Sequence, residues 1–199
     1  MRSRKNTLTF HQKKKIITKK LVREIFSWLI VTALGIIIAI ALVLSFGMQV
    51  MVIGDSMESF LANGQKVLVD RALAKIISPK KGDIIVFLPN GNTNSHYYVK
   101  RVVAVPGETV QIKDGTLYIN NLPAEEDDED FDKMEDPGIA GNPVKLGSGE
   151  YFVLGDNRNS SEDSRSANIG VVSSSMMIGR AWFKLTFEDA SGGFILNNY

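Results

Sequence analysis

Ser56 and Lys100 are the two side chains whose types and settings best suit catalysis in this sequence. A serine hydroxyl becomes a nucleophile when a neighbouring base takes its proton, and histidine is the usual base. The chain contains two histidines, His11 and His96, and no cysteine, and His11 belongs to a strongly basic leader. Lysine is therefore the best-placed candidate base for a serine nucleophile.

The setting of Lys100 leaves two interpretations open. A free lysine has a pKa near 10.4, so roughly one amine in two thousand is neutral at pH 7. Burial in its valine-rich stretch would lower that pKa by about 3–5 units, and the neutral amine could then take the Ser56 proton. Alternation of side chains along residues 96–105 would instead put the Lys100 amine on a solvated face.

A dense polar segment, residues 155–165, follows the apolar run at 151–154. Its Gly, Asn, Asp and Ser residues are ordinary turn formers. The Asp163 carboxylate could also pair with Arg165 or Arg158, and a serine hydroxyl of the segment could orient a lysine amine. We therefore expect this segment to form a wall of the site.

A long apolar stretch divides a basic leader from a more acidic remainder. Nine Lys or Arg and no acidic residue precede residue 24, whereas residues 25–199 carry 14 basic and 21 acidic side chains. Residues 25–46 would span roughly 33 Å as a helix, against a hydrocarbon core of about 30 Å. Because basic flanks stay cytoplasmic, we expect a cytoplasmic N-terminus (1–24), one transmembrane helix (25–47) and an extracytoplasmic catalytic domain (48–199) at the cell membrane.

The same composition disfavours several other classes. A cleaved secretory signal peptide fits poorly, because the apolar run is long and no small-x-small site follows it. A nucleic-acid partner is not expected, since the folded part carries no excess of positive charge. With one His and no Cys in the outer domain, no metal or cofactor is predicted, and the fold has no disulfides.

The region after the span has the pattern of a mainly β fold. Asp114-Gly115 lies between two alternating runs, 110–113 and 116–119, which is a strong hairpin signal. Further β-rich runs lie at 66–70, 83–88, 97–105, 151–154 and 176–187, and helical signal is confined to a turn near 71–77. We expect two packed antiparallel sheets or a partly open barrel.

Residues 121–149 interrupt the strand pattern with an acidic run followed by Gly- and Pro-rich sequence. Clustered carboxylates raise the alternative of a calcium site, but the spacing and the glycine of a calcium-binding loop are missing. Like charges repel and stay in water, so the acidic run is predicted to be a solvated loop in an insert.

Four blocks of the chain resemble, in the same order, those of type I signal peptidases, the membrane-bound serine proteases that remove signal peptides from exported proteins. The blocks are Gly54-Asp55-Ser56-Met57, residues 82–87, residues 100–108, and Gly155-Asp156-Asn157-Arg158 with Ser161, Asp163, Ser164 and Arg165. The resemblance implies that Ser56 is the nucleophile, Lys100 the base and Ser161 the hydroxyl that orients the lysine. It also implies that Asp163 and Arg165 support the site, and that an antiparallel β domain of signal-peptidase type sits on membrane lipid, in Gram-positive style.

The sequence departs from the family pattern behind the nucleophile. The family usually reads Ser-Met-x-Pro-Thr-Leu, whereas this chain has Ser59-Phe60 at the Pro-Thr positions. Loss of the proline frees one backbone torsion and restores an N–H. Some members also carry a hydroxyl two residues before the nucleophile, where this chain has Gly54, so the Ser56 N–H is the expected main oxyanion donor.

The substrate is expected to bind as an extended strand beside the segment that leads to Ser56. Residues 48–53 can present an open strand edge, which is a liability unless it is used or covered. Main-chain hydrogen bonds would supply affinity, and shallow apolar pockets would select small side chains. The candidate substrate-binding residues are Met51, Val52, Ile53, Gly54 and Asp55.

Three functional hypotheses follow. The leading one is a signal peptidase I acting on exported preproteins, with precursors of pilins or other surface proteins among the candidate substrates. A self-cleaving Ser/Lys protease of phage-repressor type would need a DNA-binding domain where this chain has a membrane span. A catalytically weak homologue that assembles surface proteins or pili is motivated by Ser59-Phe60 and opposed by the intact Ser56 and Lys100.

Overall fold

The structure is a computed structural model of the 199-residue chain and describes residues 19–92, 95–124 and 131–196. Its contacts divide the chain into two units, Met1–Ala41 and Leu42–Tyr199. The first unit contains most of helix α1, which runs from Lys19 to Phe46 and has no buried residue. With a mean hydropathy of 2.9, α1 is the one helix in the described ranges that is long and apolar enough to cross a membrane.

The predicted span, 25–47, coincides with α1 except at Gly47, which follows the last helical residue, but the helix begins at Lys19 and so includes part of the basic leader. Backbone hydrogen bonding continues past the charged residues because long basic side chains are good helix formers. Residues 1–18 of the leader lie outside the described residues.

The second unit is built from short strands. They are β1 (Met48–Met51), β2 (Lys66–Asp70), β3 (Ile84–Phe87), β4 (Tyr98–Ala104), β5 (Thr109–Lys113), β6 (Thr116–Ile119), β7 (Leu122–Pro123), β8 (Val144–Lys145), β9 (Glu150–Leu154), β10 (Val172–Ser173), β11 (Met177–Lys184) and β12 (Gly193–Phe194). Single 3-10 turns form at Leu73–Lys75, Pro89–Gly91, Gly138–Gly141, Arg158–Ser160 and Ser174–Met176.

The strands form two antiparallel sheets, as the sequence predicts. The larger sheet has the order β1-β2-β11-β3-β4-β9-β10, with β12 paired to β11, and the smaller one has the order β7-β6-β5-β8. The expected hairpin joins β5 to β6, and Asp114 (φ 50°) and Gly115 (φ 79°) both adopt the left-handed conformation that its tight turn requires. The helical signal near 71–77 corresponds to the 3-10 turn at Leu73–Lys75.

Strand β4 lies in the middle of the larger sheet, between β3 and β9. After Tyr98, every residue of the strand is buried. Val99 packs in one apolar cluster, Val102 in a second, and Val103 and Ala104 in a third, shared with the smaller sheet. Both faces of β4 are therefore covered, which decides where Lys100 lies.

The acidic run at 125–130 lies outside the described residues. The rest of the predicted insert is more ordered than its Gly- and Pro-rich composition indicates. It supplies β7 and β8 to the smaller sheet, and Met134, Ala140 and Leu146 are buried in the adjoining core. Two-residue strands are too short to leave a periodic pattern in the sequence.

Candidate active site

Ser56 lies in a loop at the tip of the β1–β2 hairpin, residues 53–63, which we call the nucleophile loop. The hairpin extends past β1, because Val52 N donates to Gln65 O at 2.9 Å and Gly64 N donates to Val52 O at 2.9 Å. Met57 and Leu61 are 0% and 1% exposed and anchor the loop in the core. Ser56, between these anchors and the exposed Asp55, stays half-buried and reachable from outside.

Lys100 extends from the central strand β4 and is 3% exposed. It pairs with Ile85 of β3 in the sheet register, and its Nζ lies 5.8 Å from the centre of the Tyr98 ring. The alternative of a solvated amine is wrong, because alternation along a strand separates buried from exposed residues only when one face meets water. A central strand covered on both faces buries the polar and the apolar positions alike.

Burial lowers the pKa of Lys100 from its ordinary value to about 8, because an ammonium loses its hydration there. The carboxylates of Asp163, Glu162 and Asp156 act against this by favouring the charged form, in that order. The Arg165 guanidinium lowers the pKa further, as a like charge does. A substantial fraction of neutral amine is therefore present near neutral pH, as a general base requires.

Ser56 and Lys100 line the same open cleft, of about 230 Å³, which we call the catalytic cleft. Its lining consists of Val52, Ile53, Gly54, Asp55, Ser56, His96, Tyr97, Tyr98, Val99, Lys100, Ser160 and Glu162. Four of the five predicted substrate-binding residues are in this set. Met51 is not: it lies in β1 with an exposed side chain.

The segment at 155–165, here called the polar loop, is held by a buried ion pair. The Asp163 carboxylate is fully buried and accepts hydrogen bonds from Arg165 Nε at 2.9 Å and Arg165 Nη2 at 2.9 Å. It also accepts from Gly155 N at 3.1 Å, which closes the loop on itself. Arg165 Nη2 donates in addition to the Arg158 carbonyl. Of the two partners expected for Asp163, the structure selects Arg165.

Ser161 Oγ and the Ser56 carbonyl oxygen both lie close to Gly155. A Cβ built on Gly155 would collide with both atoms, so only glycine fits at this position. Ser161 Oγ is buried and makes no hydrogen bond within the described ranges. A buried hydroxyl without a partner is costly and is commonly retained for function.

A second ion pair connects β4 to the polar loop. Arg101, next to Lys100 in β4, forms a bidentate pair with Asp156, with Nε–Oδ1 at 2.8 Å and Nη2–Oδ2 at 2.7 Å. The following residue, Asn157, donates its N–H to Ser56 O at 3.1 Å. Direct hydrogen bonds therefore link the polar loop both to β4 and to the nucleophile loop.

Two residues at the cleft carry polar contacts that sequence reasoning missed. Tyr98 Oη donates to Glu162 Oε2 at 3.0 Å, and Asn168 Nδ2 donates to Glu162 Oε1 at 3.5 Å. Burial, together with the hydrogen bond to the Glu162 carboxylate and its charge, raises the pKa of Tyr98. No local sequence pattern identifies Tyr98 or Glu162, since these two residues lie 64 positions apart and come into contact only in the folded chain.

The comparisons with known proteins identify one family. Residues 23–186 match the family model described as signal peptidase, peptidase S26. Signal peptidase I T of Bacillus subtilis (strain 168) is 39% identical over 136 residues, which cover 65% of this chain and 69% of that protein. Signal peptidase IB of Staphylococcus aureus (strain COL) is 31% identical over 176 residues, or 81% of this chain and 90% of that protein.

A third relative, signal peptidase I of Bacillus amyloliquefaciens, is 37% identical over 159 residues, which cover 75% of this chain and 81% of that protein. A crystal structure of a signal peptidase I from Enterococcus faecalis V583 is 32% identical and covers 52% of this chain and 97% of that chain, with a TM-score of 0.39. Because the family model matches most of the sequence, this chain belongs to the signal peptidase family, peptidase S26.

Proposed function

We propose that this protein cleaves signal peptides from exported preproteins by attack of Ser56 Oγ on the scissile carbonyl carbon, with the Lys100 amine as general base. Membership of the family makes the protein a serine endopeptidase of the signal peptidase I type. The observation that carries the residue assignment is that Ser56 and Lys100 line one cleft, where burial lowers the pKa of Lys100 to about 8.

The reaction proceeds in two stages. The neutral Lys100 amine takes the Ser56 hydroxyl proton as Oγ attacks, and the Ser56 N–H stabilises the resulting oxyanion. Collapse of the tetrahedral intermediate breaks the peptide C–N bond, and the Lys100 ammonium returns the proton to the leaving amine. Lys100 then takes a proton from water as the water oxygen attacks the acyl ester. Cleavage of the ester C–O bond releases the signal peptide, and the Lys100 ammonium returns the proton to Ser56 Oγ.

The supporting groups have separate roles in this scheme. Ser161 Oγ is buried near the Ser56 carbonyl oxygen and has no hydrogen-bond partner within the described residues, so it is available to bind and orient the Lys100 amine, the role that the family resemblance implies. Asp163 and Arg165 hold the polar loop and set part of the field at Lys100, because both charges act on its pKa.

The substrate pairs with β1 as an added strand. β1 stands at the end of the strand order of the larger sheet, so it has an edge beyond its pairing with β2. An extended peptide on that edge would run directly toward Ser56. Val52 and Ile53 line the cleft, and we propose that they form a shallow apolar pocket that selects small substrate side chains next to the cleaved bond.

The membrane arrangement is also proposed. Helix α1 fits a single span, and its basic leader favours an orientation with the N-terminus in the cytoplasm and the catalytic domain outside, in contact with lipid. Exported preproteins, including precursors of pilins and other surface proteins, would then meet the cleft at the membrane. The acidic balance of residues 25–199 disfavours a nucleic-acid partner.

The test is incubation of the full-length protein, in detergent or lipid vesicles, with a purified preprotein. We expect the wild type to release the mature protein at one bond, and Ser56→Ala to release none. Cleavage by the Ser56→Ala variant would refute the assignment. An assembly factor without peptidase activity is not favoured by the relatives, and it would instead leave the preprotein intact with wild type and variant alike.

A further inference from the structure

The nucleophile loop contains a strained residue three positions after Ser56. Ser59 has φ 85°, in the left-handed region that non-glycine residues adopt only with strain. Such strain persists only where the surroundings hold the backbone in place. The exposed Ser59 side chain does not supply that restraint, so contacts of the neighbouring residues must do so.

The ring of Phe60, the next residue, contacts two cations. Arg101 Cζ lies 5.0 Å from the ring centre and Lys184 Nζ lies 4.3 Å from it. Lys184 Nζ also donates a hydrogen bond to the Phe60 carbonyl at 3.1 Å, so one lysine binds both the ring and the backbone. A cation over an aromatic ring is attracted by the negative charge of the ring face, and the attraction strengthens where water is excluded.

Phe60 differs from the two apolar anchors of the loop. Met57 and Leu61 fill the core, whereas Phe60 is half-buried and packs against the edge of the same apolar cluster. Beyond this apolar packing, its ring contacts Arg101 of β4 and Lys184 of β11.

Phe60 closes a ring of contacts that joins the nucleophile loop, the polar loop and β4. Arg101 binds Asp156 through two hydrogen bonds, and the adjacent Asn157 N–H binds Ser56 O at 3.1 Å. The same guanidinium therefore restrains the nucleophile loop at two points, through Asp156 to Ser56 and through its own face to Phe60. Arg101 also follows Lys100 directly in β4, so these contacts connect Ser56 to the strand that carries Lys100.

We propose that Phe60 is a positioning residue for Ser56: its ring, in contact with both Arg101 and Lys184, sets the register of the nucleophile loop against β4. This inference rests on the proposed roles of Ser56 and Lys100. The effect is on geometry, and a displacement of a reacting group by 1 Å lowers the rate by on the order of 100-fold.

The test compares Phe60→Leu, which keeps an apolar side chain but removes the ring, with Phe60→Tyr, which keeps the aromatic face. We expect Phe60→Leu to lower kcat by roughly 10- to 100-fold with little change in KM, and Phe60→Tyr to stay within about threefold of the wild type. The acidic limb of the pH–rate profile should not move, because the charged groups around Lys100 are all retained. Lys184→Met, which removes one cation and the bond to the Phe60 carbonyl, should lower kcat in the same sense.

The matched control is Tyr118→Leu, because the Tyr118 ring lies 5.3 Å from Lys113 Nζ on the smaller sheet, in a comparable contact away from the cleft. It should keep wild-type kcat. Full kcat in Phe60→Leu, or a loss explained entirely by a smaller folded fraction in thermal unfolding, would overturn the positioning role. If Phe60→Leu does not fold, unchanged kcat in Lys184→Met overturns it instead. Activity in Ser56→Ala would refute the proposed function, whereas an inactive Ser56→Ala beside a fully active Phe60→Leu refutes only this inference.

Discussion

The proposed base and the proposed nucleophile lie in regions of opposite physical character. Lys100 extends from a central strand that is hydrogen-bonded on both edges and covered on both faces. Ser56 lies in a loop at the tip of a hairpin whose first strand is at the end of the sheet. The base needs a dry and rigid setting to lower its pKa, and the nucleophile needs an opening through which a peptide can reach it. We infer from this contrast that β4 sets the pKa of the Lys100 amine. The nucleophile loop sets how a peptide reaches Ser56 and where Ser56 lies relative to β4.

The largest effect should come from removing either member of the pair. Ser56→Ala and Lys100→Ala are each expected to abolish cleavage while the domain stays folded, because the hydroxyl and the amine act in one proton transfer. The double variant should be hardly slower than either single one, as measured by single-turnover cleavage of a preprotein. Additive losses in the logarithm of the rate would mean that the two groups act independently.

The next effect concerns access to the nucleophile loop. Replacing a small residue just before the cleaved bond by Phe or Trp should lower kcat/KM by roughly 100-fold or more, because an aromatic ring does not fit the shallow pocket that we propose beside Val52 and Ile53. Ala at that position should be cleaved well, and a preprotein with Phe placed ten residues away serves as the control. Efficient cleavage after bulky residues would remove the strand-addition model and leave the assignment of Ser56 and Lys100 unaffected.

Gly155 is where the polar loop touches the nucleophile loop, so it tests how tightly the loop is held. Gly155→Ala is expected to lower kcat by on the order of 100-fold, because the new methyl group must push away the Ser56 carbonyl or Ser161 Oγ. Gly141→Ala is a matched control, since the nearest atom to its Cβ is at an ordinary 3.5 Å. Comparable kcat in the two variants would show that the loop can shift freely.

Ser59 tests the strain in the loop through two opposite changes. Ser59→Pro demands φ near −65°, whereas the backbone is at 85°, so this variant should lose roughly 10-fold in kcat and melt at lower temperature. Ser59→Gly relieves the strain and should keep wild-type activity with an equal or higher melting temperature. If Ser59→Pro matched the wild type in both measurements, the left-handed conformation would not be needed for function.

The smallest effect is a shift in the pH dependence of the cleavage rate, which tests the setting of Lys100 in β4. Because the lowered pKa of Lys100 is about 8, the rate should rise with pH through an acidic limb near pH 8 as the amine loses its proton. The Glu162 carboxylate raises this pKa, so Glu162→Gln should move the limb to lower pH. Glu150→Gln, at the start of β9, is the control and should not move it. A limb near pH 10 would mean that the Lys100 amine is solvated.

The local sequence was sufficient to predict most of the strands and to recognise the blocks that contain the candidate site residues. The β5–β6 hairpin follows from Asp114-Gly115, because the left-handed conformation of both residues is a local property. The apolar length of 25–46 predicted α1 in the same way, since helix formation depends on near neighbours. The Asp163–Arg165 pair was also within reach, because its members are two positions apart.

The burial of Lys100 was decided by the tertiary structure. An alternating pattern does not reveal whether the second face of a strand meets water or another layer, and only the packing of neighbouring elements over β4 covered both. For the same reason the contacts of Tyr98 with Glu162 and of Phe60 with Lys184 had no sequence signal, as their partners come from strands and loops far apart in the chain. The residue types at Ser56 and Lys100 thus follow from the sequence, whereas the dry setting that lowers the pKa of the amine exists only when the sheets close around it.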